Sequence, residues 1–485
     1  MEFFEDYCLE TWRCFNNYVN QKYVIGENHF VRRRKTTQES IMKYPLMNHG
    51  RTNAIESLYF IFEVTGDEEM TISKSAIGQQ RSFIDPQAYV DMNEDFINGI
   101  YNDYEEKDKF KGYIVLAGDS SICDSPNTKL TYQEYNQPHF NLIKKELLRF
   151  RASCIADVNL DFILTSEFTS TKIDEITLAK KHFFNIKNRF PNQKFLTTYD
   201  RGYNSMELML IHHLNDSKFL IRLPTDNYEN ERKWMTTNDE TITIKLNHNR
   251  KQNFKDEKLK DIASKLQQID FRITEIELTD KKGNPYTEIL ISNLEKETFT
   301  TEDIKELYRK RWKIETNFNR LKNIIMLENF TGHRKIILEQ DFYANIYIFN
   351  FLIAMKHDAN NKIQEKHKNK NNKYEYQTNL NVLFGKIKME IPNLLSPSKK
   401  QQNKAINRIM KIATTNLVKK YDKNDRNPDR KSQDPTNKYP YTQRRSSWKK
   451  TLKLLNFIGL ISMLKKEGIG EIIPRCINLC ELNQQ

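Results

Sequence analysis

The chain has 485 residues, of which 38% are hydrophobic, and its 77 Lys and Arg against 64 Asp and Glu give a formal net charge of +13. That length excludes a single ordinary hydrophobic core and predicts about two to four domains, and the hydrophobic fraction suffices for globular cores. The basic excess suits a polyanionic partner such as DNA, but a Lys-rich composition also follows from an AT-rich genome.

The cysteines and the apolar stretches set the expected compartment. The six cysteines match no zinc-ribbon spacing, and Cys476 and Cys480 lack a second pair of ligands. The N-terminus is acidic and has no apolar segment of the kind that signal peptides carry. The longest apolar stretches, 343–355 and 454–464, are shorter than the ~20 residues of a membrane helix and predict buried helices. We expect a cytoplasmic protein with reduced cysteines and no membrane partner.

Residues 1–105 have apolar side chains at helical spacing and predict a helical N-terminal domain. Basic side chains cluster at 31–35 and recur at Lys74 and Arg81. A helical domain that binds DNA fits this pattern, and a purely structural helical domain fits it almost as well.

Strands and helices alternate between residues 106 and 224, which predicts a sheet covered by helices. The continuous apolar run 112–117 is typical of a strand buried on both faces. The alternating segment 155–164 predicts a second strand, and 194–203 predicts a third strand that runs into a turn.

Aspartates follow two of these predicted strands directly. Asp119 comes where the first strand is expected to end, and Asp200 where the third ends. Open α/β sheets place their sites at such strand ends, although an aspartate there is more often a turn former or a cap. Asp124 is a rival to Asp119, whereas Asp157 and Asp161 are predicted to be the polar side of the second strand.

Residues 225–294 interrupt the alternation of strands and helices. The segment 241–246 alternates, and 271–278 is joined to 286–294 by a turn, which predicts an antiparallel β insertion. Trp234 lies inside this insertion, and a lone Trp in a β region is usually a core residue.

The most informative pattern follows the insertion, in a helix whose predicted N-cap is Thr300. Tyr308, Arg311, Glu315 and Lys322 succeed one another at spacings of three, four and seven. At about 100° per residue these side chains share one helical stripe. A carboxylate can hold a hard cation, and Arg and Lys can hold phosphate oxygens. The stripe predicts one wall of a phosphoryl-transfer site, with an ordinary solvated helical face as the alternative.

The C-terminal region is strongly polar. Residues 399–450 hold sixteen Lys and Arg against four Asp, with Tyr439, Tyr441 and Trp448 interleaved. Such a segment can bind phosphates with salt-dependent strength or be a solvated tail, and the sequence favours neither. The apolar run 452–464 predicts a helix that docks back or mediates dimerisation. Trp312, beside the stripe, is expected to pack into the core.

Three carboxylates from separate elements can form one site. Asp119 and Asp200 come from predicted strand ends, and Glu315 from a later helix that can pack across them. Phosphodiester chemistry commonly uses two divalent ions bridged by carboxylates, one to activate the attacking water or 3′-hydroxyl and one to neutralise the leaving oxygen.

At these residues the sequence resembles one large branch of bacterial insertion-sequence DDE transposases, the fourth insertion-sequence family. Its signature is Tyr-x2-Arg-x3-Glu-x6-Lys, which residues 308–322 match. The block 117–128 is similar to the family's first Asp block, although it reads Gly-Asp-Ser-Ser where many relatives have Asp-Gly, and 198–203 is similar to the second. Similarity covers roughly 110–355, and includes the flanking stretches 288–294, 327–333 and 339–347.

The resemblance implies an α/β fold with a ribonuclease-H-like catalytic core interrupted by the β insertion. The expected domains are a helical DNA-binding domain at 1–105, the first part of the core at 106–224, the insertion at 225–294, the second part of the core at 295–360, and a basic C-terminal region at 361–485. It also implies that Asp119, Asp200 and Glu315 bind Mg²⁺ (or Mn²⁺), and that Tyr308, Arg311 and Lys322 hold the DNA backbone near the cleaved transposon end.

The implied activity is cut-and-paste DNA transposition. Hydrolysis at each transposon end would free a 3′-hydroxyl that attacks target DNA. The expected partners are double-stranded DNA, as terminal inverted repeats and target, and a second copy of the chain, because two ends must be held together. Some relatives stack an aromatic residue on a flipped base beside the cut, a role open to Trp234. A metal-dependent ribonuclease-H-like nuclease without transposition and an inactive DNA-binding relic are the alternatives.

Overall fold

The computed structural model describes residues 4–31, 35–66, 70–103, 109–126, 128–135, 148–280, 283–368, 372 and 374–420. Several predictions made from the sequence lie outside these residues. They concern most of the basic cluster at 31–35, the aromatic residues Tyr439, Tyr441 and Trp448, and the helix expected at 452–464.

One mixed sheet of eight strands forms the centre of the fold, in the order β3-β2-β1-β4-β5-β8-β7-β6. Its strands are β1 Ile114–Asp124, β2 Arg149–Asp157, β3 Ile163–Ser170, β4 Phe195–Tyr199, β5 Lys218–Leu223, β6 Asp239–Lys245, β7 Gln268–Thr279 and β8 Pro285–Ser292. β4 is parallel to both of its neighbours, β1 and β5, and the remaining adjacent pairs are antiparallel. The prediction of an α/β fold is therefore confirmed.

The helices of the described residues precede, separate and follow these strands in the sequence. They are α1 Phe4–Arg13, α2 Gln38–Met47, α3 Asn53–Thr65, α4 Lys74–Arg81, α5 Gln87–Asn102, α6 Lys129–Glu134, α7 Glu175–Arg189, α8 Met206–Leu214, α9 Glu229–Arg232, α10 His248–Lys251, α11 Glu257–Leu266, α12 Thr301–Lys310, α13 Trp312–Arg320, α14 Lys335–His367, α15 Leu380–Leu394 and α16 Lys399–Thr415. Two short strands, β9 Tyr376–Thr378 and β10 Leu417–Lys419, pair with each other.

The first two strands differ from the prediction. β1 does not end at Asp119 but continues to Asp124, because β2 pairs with it along this whole stretch. The segment 155–164 is not one strand: it contains the end of β2, a turn and the start of β3. Asp157 and Asp161 are therefore not the polar side of a strand. Both are buried, and Asp161 lies in the turn with a φ of 64°, a conformation that aspartate adopts more readily than most residues.

The β insertion extends the central sheet. Its strands β6, β7 and β8 are antiparallel, as the sequence predicts. β8 also pairs with β5, with Leu220 opposite Ser292. Because backbone hydrogen bonds run without a break from β1 through β4 and β5 into β8, the insertion and the strands of the site share one rigid sheet.

Helix α14 is 33 residues long and buried along most of its length, which confirms the buried helix predicted at 343–355. The N-terminal helices pack against it. Arg81 donates hydrogen bonds to Gln340 at 2.9 Å and Asp341 at 2.7 Å, and is only 2% exposed. Arg81 therefore adds no positive charge to a DNA-contacting surface, because its charge is neutralised inside the protein. None of the helices in the described ranges has the length and apolar character that crossing a membrane requires.

Candidate active site

Parallel pairing brings Asp119 and Asp200 to neighbouring positions. The register of β1 and β4 places Gly118 opposite Tyr199, so the two aspartates are the next residues along adjacent strands. Asp200 caps a short 3₁₀ turn and accepts a hydrogen bond from the backbone N–H of Gly202 at 2.8 Å. Asp119 accepts one from the N–H of Ser120 at 2.7 Å.

The rival residue Asp124 lies at the far end of β1. Its carboxylate pairs with Arg149 at 3.2 Å, and both side chains are more than half exposed. Nothing in the register of β1 and β4 brings Asp124 toward Asp200, because the parallel pairing stops at Gly118. The geometry therefore favours Asp119 over Asp124.

The predicted single helix is in fact three helical segments. Thr300 and Asp303 form the N-terminal capping box of α12, as predicted. The chain then breaks at Arg311, where i to i−3 hydrogen bonds at Arg311 and Ile314 tighten the turn between α12 and α13. A π-helical turn follows at Leu321–Ile325. The prediction that these side chains share one stripe of a single helix is therefore wrong, because each segment changes the direction in which the next side chains project.

Even so, the break leaves Tyr308, Arg311 and Glu315 together. The Arg311 guanidinium donates to the Glu315 carboxylate at 2.8 Å and lies 5.5 Å from the centre of the Tyr308 ring. Tyr308 and Arg311 are each 6% exposed, and burial raises the pKa of Tyr308. The Tyr308 hydroxyl and the Arg311 Nε have no well-formed hydrogen bond within the described residues. The two side chains interact with each other, but neither of these buried donors has an acceptor in good geometry among the described residues, which is costly unless a ligand supplies one.

Lys322 is separate from this group. It donates to the backbone carbonyl of Ile122 and pairs with Glu328 at 3.4 Å. Among the described residues, no hydrogen bond or ion pair links it to Tyr308, Arg311 or Glu315. Lys322 therefore lies beside the second half of β1 rather than in the wall that the other three residues form.

Electrostatics connect the three predicted carboxylates. The pKa of Asp119 is raised to about 7, chiefly by burial and also by the negative charges of Asp200 and Glu315, while the N–H of Ser120 and the Arg311 guanidinium oppose the rise. Such an effect requires the groups to be close in a poorly solvated place. Asp119 of β1 and Asp200 at the end of β4 are therefore neighbours, and Glu315 of α13 is close enough for its charge to act on Asp119.

Three further residues at this edge were not predicted. Glu175, the first residue of α7, accepts hydrogen bonds from the Ser120 hydroxyl and from Arg151 of β2. An acidic residue in the first turn of a helix is the ordinary complement to the helix dipole, so nothing in the sequence distinguished Glu175. Only the fold brings it beside Asp119 and Asp200.

Both tryptophans predicted to be buried are exposed. Trp312 is 62% exposed and Trp234 is 77% exposed. Trp312 opens α13, whose buried residues are Ile314, Asn317 and Phe318, so it lies off the face that packs. The core predictions for both are wrong.

The oxygen donors of this edge suit a hard divalent cation such as Mg²⁺. Gly202 leaves space there: a Cβ atom at this residue would lie 3.1 Å from a carboxylate oxygen of Asp200. As they stand, no three His, Cys, Asp or Glu side chains of the described residues are close enough to form a finished metal cage. Glu315 is held by Arg311 instead. By the type of their ligand atoms the residues fit such a cation, but within the described part of the chain they do not form a preformed metal site.

Comparison with known proteins supports a DDE transposase. Residues 113–351 match the family model described as "Transposase DDE domain", a span that contains Asp119, Asp200 and Glu315. No curated protein matches the sequence. Among solved structures, the cryo-EM structure of a piggyBac transposase synaptic complex with hairpin DNA is similar over 82% of this chain and 84% of that chain, at 9% sequence identity and a TM-score of 0.38. DDE transposases generally use divalent metal ions.

Proposed function

We propose that this chain is a cut-and-paste DNA transposase, of the fourth insertion-sequence family, that hydrolyses DNA at its transposon ends and transfers the freed 3′-hydroxyls to target DNA. The observation that carries the proposal is the parallel pairing of β1 with β4, which brings Asp119 and Asp200 to neighbouring positions inside the span that matches the transposase domain. The charge of Glu315, from the same span, acts on Asp119. A site of three coupled carboxylates with a single guanidinium is suited to phosphoryl transfer with a divalent cation.

The strand arrangement supports a ribonuclease-H-like core. β1, β2 and β3 form an antiparallel meander, and β4 and β5 add on the other side of β1 in parallel. The order β3-β2-β1-β4-β5 is the one expected for that fold class. It places the aspartate-bearing strands β1 and β4 next to each other at the centre.

Each side chain of the site then has a distinct task. Asp119, Asp200 and Glu315 would hold Mg²⁺, for which Mn²⁺ can substitute. When bound, the metal supplies charge stabilisation for the leaving oxygen and an activated water or 3′-hydroxyl. Arg311 fixes the position of Glu315, and its buried Nε, which has no hydrogen-bond partner among the described residues, would donate to a phosphate oxygen of the DNA.

Tyr308, Arg311 and Lys322 are proposed to hold the DNA backbone. The two unsatisfied buried donors of Tyr308 and Arg311 support a phosphate near the carboxylates. Lys322 would hold a phosphate further along β1, so Lys322→Ala is expected to weaken binding to the transposon end while leaving the cation site intact. Trp234, exposed beside Lys233, is available to stack on a flipped base. Equal end affinity in a gel-shift assay would contradict the role of Lys322.

The proposed partners are terminal inverted repeats, target DNA and a second copy of the chain in a synaptic complex, and the proposed place of action is the cytoplasm. The inverted repeats can be identified by sequencing the DNA on either side of the gene. Short inverted repeats flanked by a target duplication are the expected result.

The test is nicking of a labelled duplex that carries these repeats, with Mg²⁺. Asp200→Asn and Glu315→Gln should abolish nicking and keep end binding, whereas the matched control Glu275→Gln, in the insertion, should nick like the wild type. Absence of nicking in the wild type with binding retained would leave only a DNA-binding relic. Nicking without joining to a target plasmid would leave only a nuclease.

A further inference from the structure

A fourth carboxylate approaches the candidate cation site from the other face of the sheet. Along β1, Asp119 and Ser120 project to opposite faces, because successive strand residues alternate. Asp119 is coupled to Glu315 of α13 on one face, while the Ser120 hydroxyl contacts Glu175 of α7 on the other. We propose that Glu175 is a further carboxylate of the divalent-cation site, which rests on the proposed function above.

Hydrogen bonds to the carboxylate oxygen Oε1 hold the Glu175 side chain in one orientation. This oxygen accepts from the Ser120 hydroxyl and from the guanidinium of Arg151, which also donates to the Ser120 hydroxyl at 2.9 Å. Among the described residues, Oε2 accepts no hydrogen bond. These hydrogen bonds therefore fix the side chain and leave the other carboxylate oxygen for another partner.

Gly202 shows where that free oxygen points. A Cβ atom at residue 202 would lie 3.2 Å from Oε2 of Glu175 and 3.1 Å from Oδ1 of Asp200. The φ of Gly202 is outside the left-handed region, so the backbone does not require glycine here. The missing side chain instead leaves open a point that lies near one carboxylate oxygen of Asp200 and one of Glu175, so no side chain of residue 202 stands in the way of a cation there.

The charge balance of this edge also favours a cation. Asp119, Asp200, Glu175 and Glu315 face two guanidiniums, Arg151 and Arg311. Two negative charges are therefore left over when all four carboxylates are ionised, and one divalent cation would neutralise them.

A matched ion pair elsewhere in the chain provides the control. Arg232 and Glu275 pair at 2.6 Å, with side chains 13% and 29% exposed, against 16% and 31% for Arg151 and Glu175. Glu275 lies on β7, outside the candidate site. Glu275→Gln therefore removes a similar charge from a similar environment without changing the cation site.

The experiment is titration of the full-length protein with Mn²⁺, with free Mn²⁺ measured by electron paramagnetic resonance in the absence of DNA. Glu175→Gln should weaken Mn²⁺ affinity about 10-fold or more, Gly202→Ala should weaken it because its Cβ fills the space, and Glu275→Gln should leave it unchanged. Thermal melting of each variant checks that it is folded.

Arg151→Gln tests whether Glu175 binds the cation or whether its ion pair with Arg151 only stabilises the local structure. It breaks the same ion pair but keeps the Glu175 carboxylate, so we expect Mn²⁺ affinity at least equal to the wild type. If the pair were only a brace, Arg151→Gln and Glu175→Gln would lower Mn²⁺ affinity equally, and the inference would be overturned.

Asp200→Asn distinguishes failure of this inference from failure of the proposed function. If Asp200→Asn loses Mn²⁺ affinity while Glu175→Gln binds like the wild type, Glu175 has no part in the site and the proposed function stands. If the wild type binds no Mn²⁺, or Asp200→Asn does not change its affinity, the cation site itself is wrong and Glu175 falls with it.

Discussion

Two buried aspartates of the same sheet have opposite surroundings. Asp161, in the turn between β2 and β3, is 1% exposed and faces three cations: Lys356 at 2.6 Å, Arg320 at 2.9 Å and Lys313 at 3.7 Å. Asp119, in the middle of β1, faces carboxylates and a single guanidinium. The protein thus surrounds one aspartate with its own positive charge and leaves the other short of it.

The pKa values of the two aspartates follow this difference. Burial alone would raise the pKa of Asp161, but Lys356, Arg320 and Lys313 together hold it well below its usual range. Burial raises the pKa of Asp119 to about 7, with help from Asp200 and Glu315. A charge that serves the fold is neutralised from within, whereas the charge at the candidate site depends on a cation from outside.

The largest expected effect is on catalysis at Asp119. Asp119→Asn should lower the single-turnover nicking rate by about 10⁴-fold, or about 5.4 kcal/mol of activation free energy, because a metal-binding carboxylate is lost. The rate is measured with Mg²⁺ and a labelled transposon end. Asp124→Asn is the control and should nick at the wild-type rate. A normal rate for Asp119→Asn, or an inactive Asp124→Asn, would mean that the wrong aspartate of β1 was chosen.

Stability should change most at Asp161. Asp161→Asn leaves three cations without their buried partner and is expected to cost about 3–5 kcal/mol of unfolding free energy. Thermal melting at pH 7.5 should show a clearly lower Tm. Asp124→Asn again serves as the control, because its partner Arg149 is exposed and such surface pairs contribute about 0–1 kcal/mol. A Tm of Asp161→Asn equal to that of the wild type would remove the contrast between the two aspartates.

Asp119→Asn should change stability in the opposite direction. The folded-state pKa of Asp119, about 7, is above its ordinary value of 3.8, so the folded state binds the proton more tightly. Its contribution to stability is present below about pH 4 and is lost as the pH rises to about 7. Without divalent cations, Asp119→Asn should therefore raise the Tm at pH 7.5, by about 2–4 °C for each kcal/mol recovered, and change it little at pH 4.

Divalent cations provide the check on that expectation. Mg²⁺ should raise the Tm of the wild type at pH 7.5 and have a smaller effect on Asp119→Asn, because a ligand stabilises the state that binds it. If Asp119→Asn lowers the Tm at pH 7.5 without cations, the negative charge of Asp119 is neutralised by groups of the protein itself, as that of Asp161 is.

The smallest effect should distinguish the three cations around Asp161. Lys313 is the most distant and its side chain is 43% exposed, whereas the side chain of Lys356 is 12% exposed. Lys313→Ala is expected to cost at most about 1 kcal/mol, and Lys356→Ala to cost more. The comparison is made by thermal melting of both variants. A greater loss for Lys313→Ala would show that Asp161 depends on the α13 side of its surroundings.

Sequence patterns identified the chemistry of the site better than its geometry. The spacing of Tyr308, Arg311 and Glu315 singled out residues that the fold does bring together, and their roles stay a prediction. The break at Arg311 could not be predicted, because a residue that ends one helix and begins the next has no distinctive side chain. Asp119 was selected by an expected strand end that does not exist. Its actual position depends on β2, which pairs with β1 from Leu116 to Asp124.

Long-range contacts account for the remaining differences. Glu175 is brought beside the candidate site by contacts with Ser120 and Arg151, which lie 55 and 24 residues before it. Asp161 was predicted to be a polar strand residue. Its burial could not be predicted from the surrounding sequence, because the three cations that neutralise it come from α13 and α14. Local periodicity carries no information about such partners.

The docking of the N-terminal helices on α14 has a consequence for how the chain is made. The backbone N–H of Phe4 donates to Asp358 at 3.0 Å, across 354 residues of sequence. At about 5–20 residues per second, a ribosome needs roughly 20–70 seconds to synthesise that interval. During this time the apolar faces of α1 and α5 have no α14 to cover them. Nascent chains that stall before α14 should therefore be the ones that chaperones bind most.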